Sequence, residues 1–258
     1  MQQMKAPQSL AENTYRIHSR PAPGLVLFDI DGTLLRRSGP HHRHALVEAI
    51  RTVTALETTT DHIPLHGMLD PDILTRMMRN AGASPALIRR AMPEILRQAQ
   101  NIYVRNCPDL RRKTCPGVRA LLARLTALGI PLGLVTGNLT RIGWKKLERA
   151  GLKPFFHFGA FGEMAKDRAG LVRIALREAR AGNWIGRRAA VALVGDAPAD
   201  ILAAKANRVR AVSVSTGIST PEELAGYSPD VLIADLRRLR LEMLLPEAEA
   251  GGAYSERE

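Results

Sequence analysis

The sequence GLVLFDIDGTLL, residues 24–35, decides how the rest of this chain is interpreted. Its first half is a short apolar run, the pattern of a strand that is buried on both faces of a parallel sheet. Asp29 and Asp31 follow at once, and Gly32 favours a sharp turn just past them because glycine tolerates positive φ. Burying unpaired carboxylates is costly, so two of them here indicate a reaction centre more strongly than an N-cap or an Asx turn.

Short apolar runs alternate with helical patterns along most of the remaining chain. The predicted strands cover residues 25–29, 130–135, 155–158, 190–194, 209–214 and 231–233. The predicted helices between them cover residues 117–128, 140–150, 168–181 and 201–206, and a short one begins at Pro221. This alternation predicts an α/β fold with a doubly wound, Rossmann-like parallel sheet. Ligands of such sheets bind beyond the carboxyl ends of the strands, and Asp29, Thr136 and Asp196 each lie at or just past such an end.

Residues 37–114 interrupt this alternation with helical patterns alone. We predict helices over 44–56 and 71–80, and a third that begins after Ser84 and is kinked or divided by Pro93. Residues 24–36 and 115–245 then form the Rossmann-like core, with 37–114 as an inserted helical domain. Residues 1–23 are expected to be a disordered leader and residues 246–258 a disordered tail.

The composition restricts the classes of function. The 258 residues are 45% hydrophobic, yet no apolar run approaches the roughly 20 residues that span a bilayer, and no secretory signal is evident at the start. We therefore expect a cytoplasmic protein with no membrane partner. The net charge of +12 is spread along the chain without aromatic platforms, which favours small anionic ligands over nucleic acid. Cys107 and Cys115 fit neither a disulfide framework nor a metal site.

Three motifs, read in order, resemble those of the haloacid dehalogenase-like hydrolases, in particular their phosphoglycolate-phosphatase-like branch. Residues 29–34, Asp-Ile-Asp-Gly-Thr-Leu, resemble the first motif of that family. Residues 134–138, Leu-Val-Thr-Gly-Asn, resemble the second, and residues 195–200, Gly-Asp-Ala-Pro-Ala-Asp, resemble the acidic fourth motif. The resemblance implies a phosphatase of a small phosphorylated metabolite, in which residues 37–114 form a mobile cap that selects the substrate.

The resemblance also implies a role for each motif residue. Asp29 would be the nucleophile that becomes an aspartyl phosphate, and Asp31 would be the general acid and base. Mg²⁺ would be held by Asp29, by the main-chain carbonyl of Asp31 and by Asp196, with Asp200 orienting the groups around it. Asp200 has an alternative role as an acid in the first turn of a helix. The residues that would bind the phosphoryl group are Gly32, Thr136, Gly137, Asn138 and Lys166.

The third motif departs from the family pattern. A basic residue is expected ahead of the helix that leads to the Gly195-Asp196 strand, and two candidates stand there, Lys166 and Arg168. Either could shield the charge between the nucleophile and the phosphate. Counting back from the start of that helix, the position of Lys166 fits the family pattern slightly better.

Asp31 discriminates among the branches of the family. Dehalogenases and phosphonatases lack an acid at this position, so its presence favours a phosphate ester as the substrate. Two alternatives remain open, a phosphosugar mutase of the same family and a basic nucleic-acid- or protein-binding module with an idle site. The histidines at 41, 42 and 44 are interpreted as a solvated helix start, with substrate contact as their second reading. The choice between monomer and dimer is also open.

Overall fold

The computed structural model describes residues 21–36 and 39–246. Nearly all of the predicted leader and tail, and also Arg37, lie outside the described residues. Within these two ranges, no helix combines the length and apolar character needed to cross a membrane. Cys107 and Cys115 are both free thiols.

Six parallel strands form one sheet. In chain order they are β1 (Ala22–Phe28), β2 (Leu132–Val135), β3 (Phe158–Ala160), β4 (Ile185–Gly195), β5 (Arg210–Val214) and β6 (Val231–Ile233). Their spatial order is β3-β2-β1-β4-β5-β6, and every neighbouring pair is parallel. The chain therefore winds in both directions from β1, which confirms the predicted Rossmann-like fold.

Nine helices accompany the sheet in the described part of the chain. They are α1 (His41–Thr54), α2 (Asp70–Asn80), α3 (Pro85–Asn106), α4 (Val118–Ala127), α5 (Thr140–Ala150), α6 (Arg168–Ala181), α7 (Pro198–Ala206), α8 (Pro221–Gly226) and α9 (Leu241–Leu244). Short 3₁₀ turns cover Arg111–Lys113, Lys153–Phe155, Gly162–Met164 and Leu236–Arg238.

The central strand β1 is buried on both faces, as its continuous apolar sequence predicts. Val26 and Phe28 belong to one hydrophobic cluster, together with apolar residues of α4 and α5. Leu25 and Leu27 point the other way, into a second cluster with α6 and α7. Because successive strand residues alternate between faces, this single strand ties the two layers of helices together.

Several element bounds differ from the sequence-based ones: β4, predicted from residue 190, begins at Ile185, and α1, predicted from residue 44, begins at His41. The helix α3 runs unbroken from Pro85 to Asn106 through Pro93, so Pro93 does not divide it, and the alternative of a kink at Pro93 stays a prediction. Proline removes one hydrogen bond of the ladder, but the buried face of α3 still packs along α1 and sustains the helix. The strand predicted at 155–158 begins only at Phe158, because Lys153–Phe155 first form a 3₁₀ turn.

The helices α1, α2 and α3 occupy the segment between β1 and α4, and its described residues 39–113 contain no strand. This helical segment lies against the core at the loop that follows β2. The backbone N–H of Asp70 donates to the carbonyl of Gly137 at 2.8 Å. A Cβ atom added at Gly137 would overlap the carbonyl oxygen of Met68, so this close approach requires glycine.

A glycine inside the sheet provides a test of the packing. A Cβ added at Gly133 in β2 would lie 2.6 Å from the Phe158 ring and 2.9 Å from the Leu27 side chain. Gly133→Ala is therefore expected to lower the free energy of unfolding by about 1–3 kcal/mol, measured by urea denaturation. Gly226→Ala, where the added Cβ meets open space, is the matched control and should change the stability little. Equal stabilities for the two variants would contradict this packing.

Candidate active site

The motif residues converge at the carboxyl edge of the sheet. Asp29 and Asp31 follow β1, Thr136 follows β2, and Asp196 follows β4, the strand paired with β1 on its other side. The backbone N–H of Asp29 donates to the carbonyl of Val194 at 3.0 Å, which continues the β1–β4 ladder one residue further. Gly32 adopts a φ of 90°, so the turn predicted just past the two carboxylates is confirmed.

Three buried carboxylates form a cluster at this edge. One ligand oxygen each from Asp29, Asp196 and Asp200 lies within 4.8 Å of the other two. Thr33 Oγ1 donates to Asp196 Oδ1 at 3.0 Å, whereas Asp196 Oδ2 is buried and has no hydrogen-bond partner among the described residues. A Cβ at either Gly32 or Gly217 would overlap this carboxylate. Two glycines thus make room for a carboxylate oxygen that no group in the described part of the chain hydrogen-bonds.

The electrostatics of the cluster favour a cation. Burial, and then the charges of Asp29 and Asp200, raise the pKa of Asp196 well above its usual range. Burial also raises the pKa of Asp200 to about 7, with Arg168 opposing and Asp29 reinforcing the shift. Holding these carboxylates ionised therefore requires additional positive charge nearby. Oxygen ligands, burial and an unsatisfied carboxylate oxygen fit a hard divalent cation such as Mg²⁺.

Arg168, not Lys166, provides the basic group of the cluster. Arg168 is the first residue of α6 and is buried, and its Nη1 lies 2.7 Å from Asp200 Oδ1 and 3.2 Å from Asp29 Oδ1. Lys166 precedes the N-cap residue Asp167, has an exposed side chain and does not line the pocket. This geometry favours Arg168 over Lys166 as the basic residue of the site, because the start of α6 directs Arg168 inward and leaves Lys166 in solvent.

Asp200 combines the two roles that the sequence left as alternatives. Its Oδ2 accepts a hydrogen bond from the backbone N–H of Ala197 at 3.1 Å, which caps the start of α7. Its Oδ1 accepts from Arg168. The same carboxylate therefore fixes the helix start and the orientation of the arginine.

The loop after β2 presents polar groups to the pocket. Thr136 is fully buried, and its Oγ1 accepts from Asn138 Nδ2 at 2.7 Å. The described contacts of Thr136 Oγ1 are all as an acceptor, so its own O–H is available to an oxygen in the pocket. Asn138 Nδ2 also donates to Asp31 Oδ2 at 2.8 Å. The loop thus holds one carboxylate and offers one hydroxyl.

Sequence reasoning missed Lys146. It gave substrate contact only as the second interpretation of His42, and it included Asp70 only as part of residues 67–70, which resemble the cap segment that often lines substrate in this branch. Lys146 in α5 is 1% exposed, and its Nζ donates to Asp31 Oδ2 at 2.5 Å and to Asn138 Oδ1 at 2.6 Å. His42 is not a solvated helix residue, because its ring contacts both Lys146 and Asp70. One signal was present in the sequence. Lys146 falls between Ile142 and Ala150 at the four-residue spacing of the buried face of α5.

The ion pair with Lys146 controls the charge of Asp31. Loss of solvation opposes its ionisation, but the charge of Lys146 and the hydrogen bonds from Lys146 and Asn138 outweigh that effect. The pKa of Asp31 is consequently below its usual value. The Asp31 side chain remains 41% exposed, toward the pocket, so it is accessible to a ligand.

These groups line one pocket of about 780 Å³ between the sheet edge and the helical segment. Four exposed basic side chains also line it, and none forms an ion pair with another described residue: Arg36, Arg43, Arg112 and Lys113. The loop residue His66 lines it too. Its Nδ1 lies 3.8 Å from Asp196 Oδ2, and burial lowers its pKa.

Comparison with known proteins identifies the family. The family model described as haloacid dehalogenase-like hydrolase matches residues 23–207. A phosphoglycolate phosphatase of Pseudomonas syringae pv. tomato is 29% identical over 245 residues, which cover 87% of this chain and 84% of that protein. A second one, from Pseudomonas syringae pv. syringae, is 27% identical with the same coverage.

Solved structures share the fold. CbbY from Rhodobacter sphaeroides, in complex with phosphate, aligns with a TM-score of 0.64 and 22% identity over 85% of this chain and 98% of that one. A β-phosphoglucomutase from Clostridium difficile aligns with a TM-score of 0.62 and 19% identity over 84% and 93%. The family match and the phosphatases among the relatives confirm the predicted enzyme class, a phosphoric monoester hydrolase. With its model spanning most of the chain, this protein belongs to the haloacid dehalogenase-like hydrolases.

Proposed function

We propose that the protein is a Mg²⁺-dependent phosphatase that hydrolyses a small phosphorylated metabolite through an aspartyl phosphate on Asp29. The observation that carries the proposal is the convergence of Asp29, Asp31, Thr136 and Asp196 on one pocket, with Asp196 Oδ2 left unsatisfied. The pocket volume of about 780 Å³ suits a small molecule. The unpaired basic side chains around it favour an anionic one.

The residues divide the chemistry between them. Asp29 attacks phosphorus, and Asp31 protonates the leaving oxygen and then takes a proton from the water that hydrolyses the phosphorylated Asp29. The Thr136 hydroxyl and the backbone of Gly32, Gly137 and Asn138 bind the transferring oxygens. Arg168 holds Asp29 in place and compensates charge beside it.

Asp29 and Asp196, with the main-chain carbonyl of Asp31, would hold the metal ion. Asp200 lies within the same cluster and orients Arg168 beside it. Bound Mg²⁺ supplies charge neutralisation for the nucleophile and the phosphoryl oxygens.

The helical segment, residues 37–114 by the sequence-based boundaries, acts as the cap in this proposal. Gly67, Met68 and Asp70 from it line the pocket beside core residues. Substrate choice then depends on side chains of this segment and on the basic groups around the pocket. A cytoplasmic location stays a prediction from the sequence.

A phosphosugar mutase is the second candidate, and the β-phosphoglucomutase fold match favours keeping it. An idle nucleic-acid-binding module is disfavoured, because the acidic cluster and the groups around it form a complete pocket.

A direct test is phosphate release from a panel of phosphorylated metabolites, sugar monophosphates included, with Mg²⁺ and with a chelator. We expect Mg²⁺-dependent release of free phosphate, and Asp29→Asn should lower it at least about 10³-fold because the nucleophile is lost. Asp61→Asn, an exposed loop carboxylate, is the control and should match the wild type. An isomerised sugar phosphate without net phosphate release would establish the mutase instead. Normal turnover by Asp29→Asn would refute both enzymatic readings.

The metal site has a test that is independent of activity. Mg²⁺ should raise the midpoint of thermal unfolding, because a ligand that binds only the folded state stabilises it. Asp196→Asn removes a ligand and its charge, so about tenfold or more Mg²⁺ should be needed for the same shift, while Asp61→Asn should follow the wild-type curve. An unchanged Mg²⁺ titration for Asp196→Asn would argue against this ligand set.

The two candidate basic residues form a matched pair for mutation. Arg168→Gln should lower kcat by about 10²-fold, because Asp29 loses its charged partner. Lys166→Gln should stay within about twofold of the wild type, since this side chain is exposed outside the pocket. Circular dichroism would verify that both variants are folded. The reverse order of effects would restore Lys166 as the basic residue of the site.

A further inference from the structure

Lys146 is a buried ammonium whose hydrogen-bonding partners come from three separate parts of the chain. Its Nζ contacts Asp31 Oδ2 after β1, Asn138 Oδ1 in the loop after β2, and His42 Nδ1 in α1 at 3.2 Å. An ammonium has three donors, and these three acceptors satisfy all of them. A lysine buried to this extent is rare unless it is paired, so the arrangement is a specific one.

The contact with His42 extends the network into the helical segment. Because an ammonium only donates, His42 Nδ1 must accept, and the ring hydrogen then resides on Nε2. Nε2 lies 3.0 Å from Asp70 Oδ2, so it donates to that carboxylate. The same Oδ2 accepts from the backbone N–H of Leu139 at 2.8 Å. Asp70 therefore holds His42 and the loop after β2 at once.

The two oxygens of Asp31 are not equivalent. Oδ2 accepts from Lys146 and from Asn138 at 2.5 and 2.8 Å. Within residues 21–36 and 39–246, no donor is bound to Oδ1, and the side chain is 41% exposed to the pocket. Oδ1 is thus the oxygen that a leaving group or a water molecule can reach.

We propose that Lys146 is a positioning residue that couples docking of the helical segment to the orientation of Asp31. The inference rests on the proposed phosphatase function and deepens it. With the segment docked, His42 and Asp70 fix Lys146, Lys146 fixes Oδ2, and Oδ1 points to the substrate. When the segment moves away, Lys146 loses one acceptor and the loop loses its bond to Asp70, so Asp31 is free to turn.

The proton transfers follow from this arrangement. Asp31 Oδ1 first takes the acidic proton of the bound phosphate monoester monoanion. In the first step the O–P bond from Asp29 then forms while the bond from phosphorus to the leaving oxygen breaks, and that oxygen takes this proton from Asp31 Oδ1. In the second step water attacks phosphorus, Oδ1 takes a proton from that water, and the bond from phosphorus to Asp29 breaks. Lys146 stays protonated throughout and stays paired with Oδ2.

Two esters of similar shape separate positioning of an acid from a general structural role. Phenyl phosphate has a poor leaving group that needs protonation, whereas p-nitrophenyl phosphate has a more acidic one that needs it less. Lys146→Met should lower kcat/KM on the order of 100-fold for phenyl phosphate and less than about tenfold for p-nitrophenyl phosphate. Lys145→Met is the control on the same helix, because Lys145 pairs with Glu148 at the surface, and it should leave both values unchanged.

A second variant keeps the test informative if Lys146→Met folds poorly. His42→Phe retains a ring beside Tyr103, which His42 contacts edge-on, but removes the acceptor for Lys146. His42→Phe should also lower kcat/KM more for phenyl phosphate than for p-nitrophenyl phosphate, but both decreases should be smaller than those of Lys146→Met. Because both changes act on one path, the double variant should be no worse than Lys146→Met alone.

The outcomes distinguish the inference from the function on which it rests. Equal losses on the two esters, or additive effects of the two mutations, would overturn the coupling while wild-type turnover upheld the phosphatase. Wild-type protein that hydrolysed neither ester nor any metabolite with Mg²⁺ would overturn the proposed function and the coupling together.

Discussion

Burial of several like charges at one point is the constraint on which this structure depends. Asp29, Asp196 and Asp200 sit within a few ångströms of one another, and all three are shielded from water. Arg168 and the hydroxyl of Thr33 offset part of the cost. A bound cation would offset the remainder, since unpaired buried carboxylates otherwise take up protons. The fold supports the cluster because the carboxyl ends of parallel strands meet at a single edge.

The helical segment completes the site by contact between backbones. Its residues 67–70 lie against the loop after β2, where Gly137 leaves no side chain between the two chains. The pocket therefore has one wall from the sheet edge and another from this segment. Asp70 links them directly, because its N–H and its carboxylate both bond to that loop.

Local signals made much of this architecture predictable. The strand that ends in Asp29 and Asp31, the turn at Gly32 and the alternation of strands and helices are each written in a few adjacent residues. The boundaries of β3 and the continuity of α3 could not be predicted from adjacent residues, because tertiary packing overrides the propensities of aromatic residues and of Pro93.

Contacts between distant segments limited the prediction of the site. Lys166 and Arg168 are two residues apart in sequence, but Lys166 is exposed and Arg168 is buried. The choice between them depends on the direction in which the start of α6 faces. Lys146, His42 and Asp70 lie in three different helices, and no spacing rule relates them. Only the placement of Lys146 on the apolar face of α5 hinted at burial.

The pairing of Lys146 with Asp31 also bears on how this chain can evolve. Replacing Asp31 by a neutral residue would strand an ammonium in the interior, and replacing Lys146 would release a carboxylate beside the phosphoryl site. A substitution at one of these two positions alone is therefore unfavourable, and we expect Asp31 and Lys146 to be retained together or replaced together. A lineage that abandoned the proton donor for other chemistry would be expected to have lost the lysine in the same period.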